Sequence, residues 1–306
     1  MTRTSFTLAR MLQCVTLALL AGAAAWLAWF WQRPPWIAMA GFAVIAAGYS
    51  GALGFEFLAL RRVNRADPVP QADWPALARA WIAETLQGPR VFGWRQPFRW
   101  NAVPDQLASQ GGFKGRRGVV FIHGFVCNRG FWTPWLRRVT ASGHPFVAVN
   151  LEPVFGSIDE YVPIVDQAVA AVTRAGGLPP LVVCHSMGGL AARAWLRAGV
   201  NDGRVHHVVT IGTPHLGTWL ARSSRVPNGR QMALGSEWLR ALQSDRAGHD
   251  QPRFTCWYSN CDNVVFPSSG ATLPGADNRL VVGAAHVELA FHPQVMDTTL
   301  SLLDHR

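Results

Sequence analysis

Val182-Val183-Cys184-His185-Ser186-Met187-Gly188-Gly189 is the stretch whose reading decides the fold of this chain. An apolar run reaches a serine boxed by small residues and then passes into a helix-forming stretch. That is the layout of a nucleophile elbow, a sharp strand-to-helix turn that exposes the serine oxygen above a parallel sheet. The turn strains the serine backbone and crowds its neighbours, so small residues are needed two positions before and two after it. Gly188 meets the second need. Cys184 stands where the G-x-S-x-G pattern has its first glycine. Such an elbow carries chemistry only if the chain also supplies a base, an acid and an oxyanion hole.

Outward from the elbow, apolar strand-like runs recur at Val119–Ile122, Phe146–Val149, Leu181–Cys184, Val208–Ile211, Phe254–Tyr258 and Leu280–Val282. Most are too continuous to be half-exposed, as expected of strands covered on both faces. Helix-like segments lie between them near Trp132–Ser142, Ile158–Ala175, Met187–Ala198 and Trp238–Leu242, with another from Pro293 to Asp304. Alternating strands and helices predict a mostly parallel α/β sheet with helices on both faces.

Four motifs fall at the ends of those strands, where open α/β sheets place their sites. His123-Gly124-Phe125 follows the first. An acyl-transfer site needs two backbone N–H donors for the oxyanion of a tetrahedral intermediate, and the pattern offers Phe125 here and Met187 after the serine. Removing one such donor generally costs about 3–4 kcal/mol of transition-state stabilisation. The second motif is the elbow. Ser186 needs a base, and His185 is badly placed because adjacent side chains on the elbow point apart. The third, Thr210-Ile211-Gly212-Thr213-Pro214-His215-Leu216-Gly217-Thr218, offers His215, but Pro214 and a rigid turn suit it better to ordering the pocket wall. In the fourth, Asp262 lies just past one late strand and His286 just past the next. Ser186, Asp262, His286 is the Ser…Asp…His order of α/β-hydrolases. Asp262 would orient the imidazole, and His286 would take the serine proton and return it to the leaving group. Asp277 and Glu288 are rival acids, the first in an inter-strand loop and the second too near the histidine in sequence. No metal-ligand cluster, phosphate loop or dinucleotide fingerprint is visible, so a mechanism without cofactor or metal is expected.

The N-terminus reads differently. Met11–Gln32 and Pro34–Phe55 are each free of charged residues, with Arg33 alone between them. As helices at about 1.5 Å per residue, each run matches a hydrocarbon core of about 30 Å. Two spans joined by Gln32-Arg33-Pro34-Pro35 predict a transmembrane hairpin. A secretory signal is the competing reading, since Arg3 and Arg10 precede an apolar region and Ala21-Gly22-Ala23 resembles a cleavage site. Arg3 and Arg10 before the first span and Arg61, Arg62 and Arg65 after the second predict an inner-membrane protein with the rest of the chain in the cytoplasm.

Formal net charge is +10, from 28 Lys and Arg against 18 Asp and Glu. The cations are scattered without a nucleic-acid-binding motif, so an anionic membrane surface is the simpler partner, alongside a merely basic soluble surface. Five cysteines without C-x-x-C spacing suit free thiols, although Cys256 and Cys261 leave a bridge open. Past the hairpin, Asp73 is placed to cap a helix from Trp74 to Gln87. Val91 to Trp100 reads either as an edge strand and loop or as an aromatic and basic segment at a membrane interface.

From Val119 to the end the chain resembles the α/β-hydrolase superfamily, and more narrowly bacterial lipases and esterases. His123-Gly124-Phe125, His185-Ser186-Met187-Gly188-Gly189, Gly212-Thr213-Pro214-His215-Leu216-Gly217-Thr218 and Tyr258-Ser259 through Asp262 carry the resemblance, with Leu273 to Asn278 and His286. Arg230-Gln231-Met232 through Gly235-Ser236 and Leu239 resembles the segment that follows the Pro-His-x-Gly motif in many such enzymes. Two departures stand out: Cys184 for glycine, and the N-terminal hairpin, which secreted lipases lack. The resemblance implies a catalytic domain over residues 117–306 with a cap near 217–250; ahead of it the residues themselves predict a hairpin at 1–65 and a linker with helix or edge segment at 66–116. It implies a carboxylic ester hydrolase acting through an acyl-enzyme on Ser186. Trp219, Leu220, Met232, Leu234, Trp238 and Leu239, rimmed by Arg222, Arg225 and Arg230, would suit an ester or lipid substrate delivered from the membrane, or simply cover the sheet. An acyltransferase using the same triad, and an idle hydrolase fold acting as a tethered binding protein, are the alternatives.

Overall fold

The computed structural model describes residues 7–108, 112–199, 203–244 and 252–304. Six strands form one wholly parallel sheet: β1 (Val119–Ile122), β2 (Phe146–Ala148), β3 (Leu181–His185), β4 (His207–Ile211), β5 (Arg253–Ser259) and β6 (Asp277–Val281). Their order is β2-β1-β3-β4-β5-β6. β1 and β3 are buried at every position, which is why they read as continuous apolar runs rather than alternating ones. The sixth strand starts earlier than its apolar residues alone indicate, at Asp277. That residue therefore heads a strand instead of sitting in a loop, and it is paired with Arg279.

The helices, in chain order, are α1 (Thr7–Phe30), α2 (Pro35–Val63), α3 (Trp74–Gly88), α4 (Gln96–Phe98), α5 (Thr133–Ser142), α6 (Val162–Gly176), α7 (Met187–Arg197), α8 (Pro227–Gln231), α9 (Glu237–Ser244), α10 (His286–Leu289) and α11 (Pro293–Ser301). Side chains alternate across the sheet with period two. Val120, Ile122, Val182 and Cys184 therefore face α6 and α7, while Val119, Phe121, Leu181 and Val183 face α5 and α11. Helices cover both faces, as the alternation of elements predicts.

Strand order places the site. The chain leaves β1 toward β2 on one side and returns to β3 on the other, so the connections diverge between the carboxyl ends of β1 and β3. A crevice opens at such a switch point. The His123 loop stands on one side of it and Ser186 on the other.

A third, smaller apolar cluster joins Phe57, Ala59 and Leu60 of α2 and Ala76, Leu77 and Ala80 of α3 to Cys261, Phe266 and Ala285. The N-terminal helices thus lie on the loops that follow β5 and β6. Asp73 caps α3 by accepting from the Ala76 N–H at 2.8 Å. Beyond α3 the aromatic and basic stretch is neither strand nor loop. It continues as a π-helical turn, Pro89–Arg95, running into α4. Buried Val91, Gln96 and Pro97 pin it, and the Gln96 side chain accepts from the Asn128 N–H. Tertiary burial overrides the strand preference of its aromatics.

Apart from that cluster and the buried Leu8 and Ala9 of α1, α1 and α2 are mostly exposed. They are 24 and 29 residues long, and none of the residues in their most apolar stretches is buried. Each is long and apolar enough to cross a membrane, a property that a signal sequence shares. Arg3, used for the orientation, lies outside the described residues. All five cysteines are free, so Cys256 and Cys261 form no bridge. In the segment expected to form a cap, α9 packs Leu239 and Leu242 into the core beside α7, and residues 245–250 lie outside the described residues.

Candidate active site

Ser186 follows directly on β3 with φ 53° and ψ −129°, in the left-handed half of the map where a non-glycine residue is strained by roughly 1–3 kcal/mol. The surroundings hold it there. Its N–H donates to Ile211 O at 2.9 Å, and its carbonyl accepts from Gly189 N–H at 3.1 Å and from Thr213 Oγ1 at 2.8 Å. The need for small neighbours is explicit. A Cβ on Gly188 would collide with the carbonyl oxygens of Ile122 and His123, and one on Gly189 would collide with Thr213. Gly124 faces the serine so closely that its Cβ would lie 2.8 Å from Ser186 Cβ.

Cys184, by contrast, points into the core. It pairs with Ile122 on one side and Thr210 on the other, and its fully buried side chain belongs to the core facing α7. Burial drives its thiol well above the usual range, so it acts as a small apolar residue rather than a nucleophile. Cys184→Ala is expected to lower stability by about 1–2 kcal/mol through the lost packing and to leave ester turnover within about three-fold of the original. Thermal melts beside rate measurements check both.

Asp262 and His286 meet after β5 and β6. His286 Nδ1–H donates to Asp262 Oδ2 at 2.9 Å, and Asp262 Oδ1 accepts from the N–H groups of Val264 and Val265 at 3.0 and 2.8 Å. The carboxylate is therefore fixed at both oxygens, and the imidazole is left with Nε2 as a proton acceptor. Gly212, next after Ile211, links this pair to the serine. With φ 57° it lies so close that a Cβ there would sit 2.9 Å from Asp262 Oδ2 and 3.1 Å from His286 Nδ1. Burial alone would lower the proton affinity of His286. The charge and hydrogen bond of Asp262, with Glu84 and Glu56, outweigh it and raise the pKa above 6.5.

The other histidines separate cleanly. His185 turns away from the serine, stacks on Phe131 with centroids 4.4 Å apart, and donates from Nε2 to His286 O at 3.2 Å. Burial keeps it neutral. His123 accepts from Leu151 N–H at Nε2, so its Nδ1–H donates to Gly124 O at 2.9 Å, and burial lowers its pKa to about 4. It thereby fixes the loop that leads to Phe125. His215 is fully buried against Thr210, Arg193 and Cys256, in the wall behind the sheet ends.

Phe125 and Met187 flank the crevice, one after Gly124 and one at the first turn of α7. Among the described residues no acceptor engages the N–H of either. Val126, directly after Phe125, has φ 50°, an outlier for a β-branched residue that marks this loop as held under strain. Of the rival acids, Asp277 is turned to Arg279, and Glu288 caps α10 by accepting from Ala285 N–H at 3.1 Å.

Two carboxylates had no part in the motif reading. Glu84 of α3, only 5% exposed, accepts from Val287 N–H with both oxygens at 3.2 Å. Glu56 of α2 accepts from Asn263 Nδ2 at 2.7 Å, and Asn263 Oδ1 accepts in turn from His286 N–H at 3.2 Å. Both were detectable in principle. Glu84 falls on the buried stripe Leu77–Ala80–Glu84 of its helix, and Glu56 is the sole acid among the first 65 residues.

A strained serine at a strand end, a histidine–aspartate pair past later strands and a loop at the switch point define the arrangement of a hydrolase of the α/β type. The family model described as the alpha/beta hydrolase family matches residues 119–296, and the chain belongs to that family. Among solved structures, mature Bacillus licheniformis lipase BlEst2 superposes with a TM-score of 0.55 at 15% identity, over 62% of this chain and 92% of that one. Aspergillus fumigatus lipase B gives 0.50 at 18% identity, over 62% and 53%. At such identities the likeness is one of fold. No curated protein matches the chain.

Proposed function

We propose that this protein is a membrane-anchored serine hydrolase that cleaves carboxylic esters, with Ser186 as nucleophile, His286 as general base and acid, and Asp262 as its orienting partner. The carrying observation is the Asp262–His286 pair set against Gly212, one residue from the carbonyl that fixes the Ser186 N–H. In the first step His286 Nε2 takes the Ser186 proton as Oγ attacks the ester carbonyl. The N–H groups of Phe125 and Met187 receive the oxyanion. Collapse releases the alcohol, which takes the proton back from His286, and water repeats the sequence to free the acid and Ser186.

Two features support a lipid substrate and a membrane location. Trp29, Trp31 and Trp36 stand exposed around the turn between α1 and α2, as tryptophans do at a membrane–water interface. A cavity of about 670 Å³ lies between α1 and the loop after β2, lined by Leu8, Met11, Val154 and Phe155. Phe155 meets Phe125 edge-on at 5.8 Å, so this apolar space lies one ring from the proposed oxyanion loop and is sized for an acyl chain.

The test is hydrolysis of short- and long-chain p-nitrophenyl esters by detergent-purified protein, with fluorophosphonate labelling and Ser186→Ala beside it. Turnover and label that both vanish in the variant are the expected result, with longer chains preferred. Equal turnover in the variant, or folded protein that neither labels nor turns over, overturns it. An N-terminus retained in carbonate-washed membranes would support the two-span anchor, and one cleaved near residue 23 would overturn the first span.

A further inference from the structure

The N-terminal helices do more than lie beside the hydrolase domain: they furnish part of the setting of His286. The first three N–H groups of the turn that carries it all end on side-chain oxygens. Ala285 donates to Glu288, His286 to Asn263, and Val287 to Glu84. Of these acceptors Glu84 belongs to α3, and Asn263 is itself held by Glu56 of α2. The docking is extensive. Asn64 is bonded to Ser268, Asp67 to Ser269, and Asn260 to the Pro70 carbonyl. Phe57, Leu60, Leu77 and Ala80 seal the seam against Cys261, Phe266 and Ala285.

From this geometry we infer that Glu84 is a positioning residue for His286, fixing the turn that carries it and stabilising the imidazolium formed during acyl transfer, with Glu56 acting through Asn263. The inference rests on the serine-hydrolase reading. The groups facing His286 are Asp262 from the loop after β5, Glu84 from α3, Glu56 from α2 and His185 from β3, while Glu288 on its own helix is turned to the Ala285 N–H. Tyr49 of α2 faces Glu84. Three of the four facing groups are acids, so a positive charge on the ring is favoured. Glu84 itself is raised by burial to about 7, against the opposing pull of His286 and the Val287 N–H. A serine hydrolase of this fold needs only one acid beside its histidine. Here a second comes from a helix outside the matched domain, so anchoring segment and reaction centre are built as one unit.

The sign of the effect follows directly. Removing the negative charge of Glu84 makes protonation of His286 harder, so its pKa falls and the acid limb of kcat/KM moves to lower pH. The imidazolium is also less well stabilised in the transition state, so kcat on the plateau falls. Glu84→Gln keeps an oxygen for the Val287 N–H and loses only the charge; Glu84→Leu loses both. In the full-length protein in detergent, Glu84→Gln is expected to shift the acid limb down by about half a pH unit or more and to lower kcat about ten-fold with little change in KM. An NMR titration of the His286 Cε1–H should show the same downward shift without any need for turnover. A folded Glu84→Gln protein whose NMR titration and pH profile match the original overturns the inference. A shifted NMR titration in a protein with no esterase activity at all would uphold the coupling while overturning the hydrolase reading.

Discussion

Ser186→Ala is expected to lower kcat for ester hydrolysis by on the order of 10⁴–10⁶-fold, and Asp262→Asn by about 10⁴-fold, with both proteins folded. The serine oxygen is the only nucleophile the elbow presents, because the neighbouring thiol of Cys184 is buried in the core on the α7 side. Asparagine at 262 would offer an N–H₂ or a neutral oxygen to His286 Nδ1 in place of a carboxylate. The imidazole then loses the partner that selects its tautomer and raises its proton affinity. In the proposed triad the three groups act as a unit, so the Ser186→Ala, Asp262→Asn double variant should be scarcely worse than Ser186→Ala alone. Single-turnover rates with an activated ester measure this directly. Additive losses would mean that Asp262 acts on something other than the serine pathway. In the intact protein activity should rise with pH through a value above 6.5, since His286 must be neutral to accept the proton and its pKa is raised.

Gly188→Ala should be strongly damaging to both fold and site. Its Cβ would drive into the carbonyl oxygens of Ile122 and His123, the second at 2.7 Å, and both belong to backbone that cannot turn aside. Ile122 is the last residue of a central strand and His123 anchors the loop to Leu151. Relief therefore requires moving α7 off the sheet or opening the crevice. Overpacking of this kind costs about 3 kcal/mol or more, which for a domain of this size is a fall in Tm of roughly 6–12 °C, with activity lost alongside. Gly93→Ala is the matched control, since nothing lies within 4 Å of a Cβ there. A Gly188→Ala protein that melts with the original would show that the elbow packs against β1 less tightly than this geometry requires.

The size of these two effects reflects how much of the site is written in local pattern. Apolar runs of three to five residues flanked by helical segments specify a sheet covered on both faces, because strands without a solvent side cannot alternate. The elbow, the loop after the first strand and the Ser…Asp…His order are legible because each depends on a few adjacent residues of fixed chemistry. So are the two long charge-free runs at the N-terminus. The histidines illustrate the limit. His123, His185, His215 and His286 all lie at strand ends in sequence; turn chemistry and chain order favour His286, but what each ring does is decided by distant partners: Leu151 for His123, Phe131 for His185, Arg193 for His215 and Asp262 for His286.

By itself, then, the sequence determined a parallel α/β architecture, the succession of candidate reactive groups along it and the presence of two apolar helices ahead of it. Periodicity, turn chemistry and helix capping act within a few residues, and those features need nothing more. Tertiary structure alone decided that Val91–Trp100 runs largely helical rather than extended, that Cys184 points into the core on the α7 side, and that Glu56 and Glu84 reach the turn carrying His286. The contacts of Glu56 and Glu84 join positions more than 200 residues apart, 203 in the Glu84–Val287 bond and 207 in the Glu56–Asn263 bond. Burial of the α2 and α3 faces brings them together, a free energy that belongs to the assembled surface and to no local stretch of chain.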